Sequence, residues 1–304
     1  ALIDMYTNCG DLAKAQDVLN KHPHRDTISW TALIAGYMKH EYHKQALNSF
    51  DKMQQEGIHP DGITFVSALK ACGSTRAIET GIHLHGEIAR KGLLTADIIV
   101  GNALIDMYVN CNMLLKAKEV LDQLPVQDLI SWTTLLAGYV KRGLDVEALD
   151  CFEKMQCKHV SPDTVAIVYS LQACGNIGAM EKGQEIHEEI IRRGLLKDEL
   201  VVGNALIDMY AKCGNLWKAQ EVFDMLPERD EISWNALIAG YSQLGEFENV
   251  LRNLERMGEE NKRPNLITLV SILNVCSHAG IIENAHMFFN VFTKEHELTP
   301  TMEH

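Results

Sequence analysis

The residues best suited to metal chemistry are two His-x-Glu triplets, His85-Gly86-Glu87 and His187-Glu188-Glu189. In zinc deaminases such a triplet supplies a metal ligand and a general acid, and a P-C-x-x-C segment supplies two further ligands. The sequence contains no P-C-x-x-C segment, no phosphate-binding glycine loop and no G-x-S-x-G nucleophile turn. We therefore expect a protein that is not an enzyme, with no catalytic residues, no metal and no cofactor.

Eight cysteines could also bind metal or form disulfides. Two series step by 102 residues each: Cys9, Cys111 and Cys213, and Cys72, Cys174 and Cys276. Recurrence at the same place in a repeat predicts small packing residues where helices approach each other. Cys151 and Cys157 stand outside both series, and their spacing matches no common metal motif.

The step of 102 residues is a property of the whole chain. The hexapeptide Ala-Leu-Ile-Asp-Met-Tyr starts at Ala1, Ala103 and Ala205, and the near-copies WTALIAGY, WTTLLAGY and WNALIAGY start at Trp30, Trp132 and Trp234. Such a period is too long for one helical hairpin. It divides into units of 31, 35 and 36 residues.

Each unit carries two stripes of apolar residues at helical spacing. In 129–163 the first stripe is Trp132, Leu135, Leu136, Tyr139 and Val140, and the second is Ala148, Leu149, Phe152 and Met155. Gly143 separates the two predicted helices, and Ser131 can cap the first. One hairpin cannot bury its apolar face alone, whereas stacked hairpins can. The sequence therefore predicts an all-α, right-handed superhelical solenoid of helix-turn-helix repeats.

The formal net charge of −13 counts against nucleic acid, because phosphate contacts need Lys or Arg. It favours a different class, a protein-binding helical-repeat scaffold of the tetratricopeptide kind. The acidic residues cluster on predicted second helices, which we expect on the outer, convex face: Glu147, Asp150, Glu153, Glu181, Glu185, Glu188 and Glu189. No uninterrupted apolar stretch approaches the roughly 18 residues of a membrane helix, so no membrane partner is expected.

Units of 35, 36 and 31 residues in alternation resemble the P, L and S motifs of plant pentatricopeptide-repeat (PPR) proteins. The segments that carry the resemblance are VVGNALIDMYAKCGN (201–215), LPERD (226–230), EISWNALIAGY (231–241), SHAG (277–280) and TPTMEH (299–304). It covers the chain as a single PPR solenoid, 1–304, and both ends fall inside motifs, as expected for a fragment of a longer array. The units are a partial S at 1–26, P at 27–61, L at 62–97, S at 98–128, P at 129–163, L at 164–199, S at 200–230, P at 231–265 and L at 266–301.

Proteins of this family read single-stranded RNA at one base per repeat. The resemblance implies that the fifth and last residues of a unit read the base and that the second residue wedges between bases. The implied pairs are Thr31 with Asp61, Asn102 with Asp128, Thr133 with Asp163, Asn204 with Asp230, and Asn235 with Asn265. The implied wedges are Ile28, Ile99, Ile130, Val201 and Ile232.

The family's code gives guanine for Thr with Asp, uracil for Asn with Asp, and cytosine or uracil for Asn with Asn. Ionised Asp suits guanine and uracil because it accepts a hydrogen bond from their ring N–H. The L units carry Val66, Val168 and Val270 in fifth place and Asp97, Glu199 and Thr301 in last place. Valine cannot bond a base, so we expect the L units to be spacers. The resulting order is 5′-G-N-U-G-N-U-Y-N-3′ from residue 27 onward.

Helix-start chemistry is a competing explanation for these polar residues. Asn and Thr favour helix N-termini, with Ser29, Ser131 and Ser233 as the expected caps two places before the fifth residues. Asp after Pro is typical of a solvated turn. Lys39, Lys141 and Lys212, near the ends of first helices, either meet an RNA backbone or complement the helix dipole.

The resemblance implies sequence-specific binding of an organellar single-stranded RNA, as the recognition module of a C-to-U RNA editing factor. It also implies residence in the mitochondrion or chloroplast and editing-complex proteins as further partners. The tetratricopeptide-like scaffold stays open as the alternative.

Overall fold

The computed structural model of the chain describes residues 2–22 and 24–295, without the side chains of Asp198 and residues 293–295. These residues form α-helices and no β-strand, which confirms the all-α prediction. The helices are α1 (Leu2–Asn8), α2 (Leu12–Lys21), α3 (Thr27–Lys39), α4 (His43–Gln55), α5 (Gly62–Thr75), α6 (Ile78–Arg90), α7 (Leu93–Ala96), α8 (Ile98–Asn110), α9 (Leu114–Gln123), α10 (Leu129–Lys141), α11 (Asp145–Cys157), α12 (Thr164–Ile177), α13 (Met180–Arg193), α14 (Leu195–Asp198), α15 (Leu200–Lys212), α16 (Leu216–Met225), α17 (Glu231–Gln243), α18 (Phe247–Glu259), α19 (Leu266–Ala279) and α20 (Ile282–Glu295).

The helices group into hairpins of a first and a second helix. Single-turn helices α7 and α14 follow the hairpins α5–α6 and α12–α13. No helix in the described ranges has the length and apolar character needed to cross a membrane.

The chain forms two compact units, one of residues 1–141 with 154–161 and one of residues 142–153 with 162–304. In the first compact unit the first helices α1, α3, α5, α8 and α10 contact one another in chain order. In the second compact unit α12, α15, α17 and α19 do the same. First helices therefore form one layer of each compact unit, and second helices such as α2, α4 and α16 pack onto it.

The predicted apolar stripes form the core of the hairpins. Trp132, Leu135 and Leu136 are at most 4% exposed, and Phe152 and Met155 at most 2%. Burial of side chains of this size, at about 1.5–3 kcal/mol each, drives the stacking.

Candidate nucleic-acid interface

The first helices begin where the predicted units begin. From residue 27 onward, α3, α5, α8, α10, α12, α15, α17 and α19 each start at the first residue of a predicted unit. The fifth residue of each unit is therefore the fifth residue of a helix, in its second turn, and the last residue directly precedes the next first helix. The division into P, L and S types stays a prediction.

The expected serine caps are wrong. The N-cap of α3 is Asp26 and that of α17 is Asp230, while Ser29 and Ser233 are the third residues inside those helices. Their backbone N–H groups donate to the cap carboxylates, Ser29 N to Asp26 Oδ1 at 2.8 Å and Ser233 N to Asp230 Oδ1 at 2.8 Å. Ser131 N donates to Asp128 Oδ1 in the same way at 2.9 Å. The helices start three residues earlier than a serine cap requires.

Last residues of the units therefore serve as helix caps. Asp61 accepts from Thr64 N, Asp163 from Ala166 N and Asn265 from Thr268 N. Asp61 and Asp163, interpreted from the sequence as solvated turn residues, thus also have a capping role. Capping holds each of these side chains at a fixed place at the start of a first helix.

Three of the predicted pairs lie in direct hydrogen-bond contact. Asn102 Nδ2 donates to Asp128 at 3.0 and 3.2 Å. Asn204 Nδ2 donates to Asp230 Oδ1 at 3.2 Å. The third pair is Asn235, whose Nδ2 donates to Asn265 Oδ1 at 3.3 Å. Residues 26 to 30 positions apart in sequence thus form adjoining donor and acceptor groups.

The Thr31 and Asp61 pair is connected through a third side chain. Thr31 Oγ1 lies 2.7 Å from Thr64 Oγ1, and Thr64 Oγ1 donates to Asp61 Oδ1 at 2.6 Å. Thr133 and Asp163 belong to different compact units, so their pairing stays a prediction from the sequence.

A glycine contacts the turn that carries Asp230. A Cβ atom at Gly203 would lie 2.4 Å from Leu226 Cδ2, so a side chain here would require the Leu226 side chain to shift. Gly101 has the same relation to Leu124, at 2.5 Å. Glycine directly before the fifth residue is thus part of the geometry of both Asn–Asp pairs.

The carboxyl of Asp230 is held in its charged form. Burial by itself raises its pKa, but hydrogen bonds from the backbone and hydroxyl of Ser233 and from Asn204 outweigh burial and lower the pKa. At neutral pH Asp230 is a charged acceptor next to the amide of Asn204.

Second residues of the units are exposed aliphatic side chains. Their exposed fractions are 76% for Ile28, 63% for Ile99, 62% for Ile130, 58% for Val201 and 64% for Ile232. Ile63, Val165 and Ile267 hold the same place in the L units and are 66%, 50% and 60% exposed. The sequence prediction omitted these three residues, although their spacing from the unit start is the same. In each compact unit, four exposed aliphatic residues at one place of the repeat indicate a surface made for contact.

The predicted spacers differ from the reading pairs. Val66, Val168 and Val270 are half-buried, with no polar atom to offer a base. Asp97 caps α8 through Ile99 N at 2.9 Å, whereas Glu199 makes no side-chain cap bond to α15. Thr301 lies outside the described residues.

The acidic and basic residues singled out in the sequence lie on different helices of the hairpins. Of the acidic residues predicted on second helices, Glu147, Asp150, Glu153, Glu181, Glu185 and Glu188 are exposed and Glu189 is half-buried. Lys39, Lys141 and Lys212 are exposed residues at the ends of first helices. Lys212 pairs with Asp208 at 2.8 Å and Lys39 donates to Asn8 at 2.9 Å.

The histidines of the His-x-Glu triplets take part in packing. His85 Nδ1 lies 2.8 Å from the hydroxyl of Tyr108, and His187 Nδ1 lies 2.8 Å from that of Tyr210. Burial lowers the pKa of both imidazoles and so favours their neutral form, in which each ring is hydrogen-bonded to a tyrosine hydroxyl. No group of His, Cys, Asp and Glu within 2–22 and 24–295 is arranged to hold a metal ion.

The cysteines of the two series differ in how far they are buried. Cys72, Cys174 and Cys276 are buried, as expected for packing residues. Burial raises the pKa of the Cys72 and Cys174 thiols to about 12. Cys111 and Cys213 are half-buried against the carbonyls of Cys72 and Cys174, but Cys9 is exposed, so the packing prediction is wrong for Cys9.

A layered stack of helical hairpins with an exposed aliphatic residue at the second place of each unit defines an α-helical repeat protein. Comparison with models of known protein families gives the same class of protein. The model of the PPR repeat family matches residues 25–74, that of the PPR repeat matches 102–128, 130–160 and 204–230, and that of the pentatricopeptide repeat domain matches 228–279. The chain belongs to the pentatricopeptide repeat family.

Its relatives include two Arabidopsis thaliana proteins that match along the whole chain. Pentatricopeptide repeat-containing protein At2g03380, mitochondrial, is 34% identical and the chain covers 44% of it. Pentatricopeptide repeat-containing protein At4g25270, chloroplastic, is 36% identical and the chain covers 56% of it. The chain thus spans about half the length of these relatives.

A solved structure shares the fold. The crystal structure of the pentatricopeptide repeat protein PPR10 in complex with an 18-nt psaJ RNA element matches 95% of this chain and 43% of that one, with a TM-score of 0.81 and 19% identity. This likeness confirms the solenoid fold.

Proposed function

We propose that the chain binds single-stranded RNA in a sequence-specific manner, with one base read by each P and S unit. The observation that carries this proposal is the contact between fifth and last residues in the pairs Asn102–Asp128, Asn204–Asp230 and Asn235–Asn265. Each pair brings together polar atoms from the fifth residue of one first helix and from the residue directly before the next first helix. The complex of PPR10, a protein of the same fold, with an 18-nt RNA supports a nucleic-acid ligand.

The exposed aliphatic side chains provide the second part of the site. In each unit the aliphatic lies three places before the fifth residue on the same helix, for example Ile99 before Asn102 and Val201 before Asn204. Residues three apart on a helix are neighbours on its surface. An unstacked base could therefore lie against the aliphatic while its edge meets the polar pair, as in other readers of single-stranded RNA.

The base order follows from the pairs. Thr31–Asp61 and Thr133–Asp163 assign guanine, Asn102–Asp128 and Asn204–Asp230 assign uracil, and Asn235–Asn265 assigns a pyrimidine. With N-terminal units toward the 5′ end, the site is 5′-G-N-U-G-N-U-Y-N-3′. Val66, Val168 and Val270 leave the L units without a base preference.

The charge of −13 is compatible with RNA because of where the charges lie. Acidic side chains such as Glu181, Glu185 and Glu188 are exposed on second helices, whereas the polar pairs lie on first helices. We infer that Lys39, Lys141 and Lys212, exposed at the ends of first helices, meet phosphates. Since these cations are few, we expect affinity to fall only moderately with salt.

The finer proposal concerns the biological setting. We propose that the chain is the recognition module of a C-to-U RNA editing factor, built of P, L and S units, which acts with editing-complex proteins in a mitochondrion or chloroplast. The mitochondrial and chloroplastic relatives support the compartment. The alternation of 35, 36 and 31 residues supports the editing role.

The experiment is a titration of the purified chain with 8-nt RNAs, followed by fluorescence anisotropy. The RNA of the proposed order should bind at least tenfold more tightly than an RNA with G and U exchanged at the four assigned purine and uracil positions, since each contact discriminates by about 1–3 kcal/mol. A chain with alanine at Asn102 and Asn204 is the matched control and should lose the preference at the third and sixth bases while it keeps that at the first and fourth. Equal binding of both RNAs would contradict the proposal, and tight binding of acidic or basic peptides instead would favour a protein-binding scaffold.

A further inference from the structure

A buried hydroxyl contacts the fifth residue in three of the reading pairs. At the Asn102–Asp128 pair the buried hydroxyl of Ser131 instead donates to the backbone carbonyl of Asp128 at 2.7 Å. Thr64, Ser233 and Thr268 each hold the third place of a first helix, three residues after the cap, and all three are fully buried. The hydroxyl oxygens lie within 2.7 Å of the fifth residue of the preceding unit: Thr64 from Thr31, Ser233 from Asn204 and Thr268 from Asn235. The family comparison assigns no role to this third residue.

Ser233 determines how the amide of Asn204 is turned. Its hydroxyl is shared between Asn204 Oδ1 at 2.6 Å and Asp230 Oδ1 at 2.9 Å, with the shorter bond to Asn204, while Asn204 Nδ2 donates to Asp230 Oδ1 at 3.2 Å. The amide carbonyl is thereby occupied inside the protein, and Nδ2 keeps one hydrogen beyond the one used by Asp230. A donor and a charged acceptor then stand side by side. This pattern complements uracil, which offers a carbonyl oxygen next to its ring N–H.

Thr64 has the opposite effect on Thr31. A carboxylate can only accept, so the Thr64 hydroxyl donates its proton to Asp61 at 2.6 Å. Its oxygen then accepts the proton of Thr31 at 2.7 Å, which leaves Thr31 with lone pairs only. Thr31 and Asp61 present two acceptors, and guanine offers two adjoining donors, its ring N–H and its N2 amino group. Uracil has only one donor on that edge.

We propose that Thr64, Ser233 and Thr268 are positioning residues that set the donor or acceptor character of the fifth residue and so determine which base the pair selects. This inference rests on the proposed RNA-binding function. The chain contains a natural contrast at Asp163, where Ala166 holds the third place and has no hydroxyl. Thr133 Oγ1 is buried and has no hydrogen-bond partner among the described residues. The fourth base should therefore be read less sharply as guanine than the first.

The test compares Thr64→Val with Thr64→Ser. Valine has the shape of threonine, so the buried site is filled, but the relay from Thr31 to Asp61 is broken. We measure affinities for RNAs with G, A or U at the first base by anisotropy. Thr64→Val should reduce the preference for G over U at this base about tenfold, because a lost buried hydrogen bond has an effect of this size. Thr64→Ser keeps the hydroxyl and should stay within about twofold of the original chain.

Capping is controlled by Ser29→Ala. Ser29 Oγ bonds the cap carboxylate Asp26 at 2.6 Å, as Thr64 bonds Asp61, and it has no contact to a fifth residue. Ser29→Ala should leave base preferences unchanged at every position. If Thr64→Val fails to fold, as judged by circular dichroism, Ser233→Ala provides the same test at the sixth base, where the preference for U over C should fall.

The outcomes separate the two proposals. If the original chain prefers G at the first base and Thr64→Val keeps the full preference, the positioning role is refuted while RNA reading stands. If the original chain has no preference at that base, the reading assignment fails and the positioning role falls with it. A loss in Ser29→Ala equal to that in Thr64→Val would also refute the positioning role.

Discussion

Replacement of Asn204 by Thr should change the sixth base of the bound RNA from U to G. Asn204 lies against Asp230 and the hydroxyl of Ser233, at 3.2 and 2.6 Å. Threonine there would reproduce the arrangement of Thr31 with Asp61 and Thr64, in which the hydroxyl oxygen of the fifth residue becomes an acceptor. The substitution leaves the charge of the chain unchanged.

The magnitude follows from the contacts exchanged. The substitution removes the Nδ2 donor that suits uracil and adds an acceptor that suits the amino group of guanine. A base contact of this kind discriminates by about 1–3 kcal/mol, so the ratio of affinities for G and U should change about five- to a hundredfold. Loss of the bond to Asp230 should also lower the free energy of unfolding by about 0.5–1.5 kcal/mol.

The assay is a titration with 8-nt RNAs that differ only at the sixth base. Asn102, in the equivalent pair with Asp128, is the internal control, and preference for U at the third base should not change. The slope of affinity against salt should also stay the same, because no phosphate contact is altered. The reciprocal variant Thr31→Asn should change the first base from G to U.

Two results would refute the reasoning. If Asn204→Thr weakens binding of all RNAs equally, Asn204 supports the helix and reads no base. If it changes nothing, the register of the units or the code carried over from the family does not apply to this chain.

Further predictions concern stability and metal content. Burial, and after it the charge of Lys218, lowers the pKa of His187 below its ordinary value of 6.5. Since the unfolded chain then binds the proton more readily than the folded chain, stability should fall as the pH drops below about 6.5. The Tm should therefore be lower at pH 5.5 than at pH 7.5, and this difference should be smaller in His187→Phe. A Cβ at Gly203 would meet Leu226 at 2.4 Å, so Gly203→Ala should lower the free energy of unfolding, measured in urea, by about 1–3 kcal/mol. Adding Leu226→Ala to the Gly203→Ala chain should cost less than Leu226→Ala alone, and an equal cost would contradict the steric explanation. Purified, untagged chain should contain no stoichiometric zinc in elemental analysis, because no cluster of metal-binding side chains occurs in 2–22 and 24–295; one zinc per chain would overturn this.

Helix positions could be predicted well from the sequence because the same hydrophobic pattern occurs in successive copies of the repeat. The buried stripe of Trp132, Leu135 and Leu136 has the helical period, and the same stripe recurs at a step of 102 residues. Unit starts at Thr27, Ile98 and Leu200 coincide with helix starts for the same reason. Hydrophobic periodicity determines which face is buried, and that face determines the stacking.

Capping could not be predicted correctly from residue preferences alone. Ser29 and Asp26 are both favoured N-cap residues, and only the backbone geometry shows that Asp26 precedes the helix while Ser29 is its third residue. The three-residue spacing of Asp26 and Ser29, repeated in Asp230 and Ser233, was nevertheless a usable signal, since a cap accepts from the third residue of its helix.

Hydrogen bonds between side chains that are distant in the sequence could not be predicted without the family resemblance. Asn204 and Asp230 are 26 positions apart, and nothing local requires that they meet. The hydroxyl of Ser233 that turns the amide of Asn204 belongs to yet another helix, so its role emerges only from the packing of α15 against α17. Exposure of Cys9, in contrast to buried Cys72, likewise depends on neighbours and not on residue type.

The most direct test of the account is selection of bound RNAs from a pool of random oligonucleotides, followed by sequencing. The account predicts enrichment of 5′-G-N-U-G-N-U-Y-N-3′, with the strongest preferences at the first and sixth positions and none at the second, fifth and eighth. Enrichment of no motif, or of a motif with its strongest preferences at the positions of the L units, would contradict it.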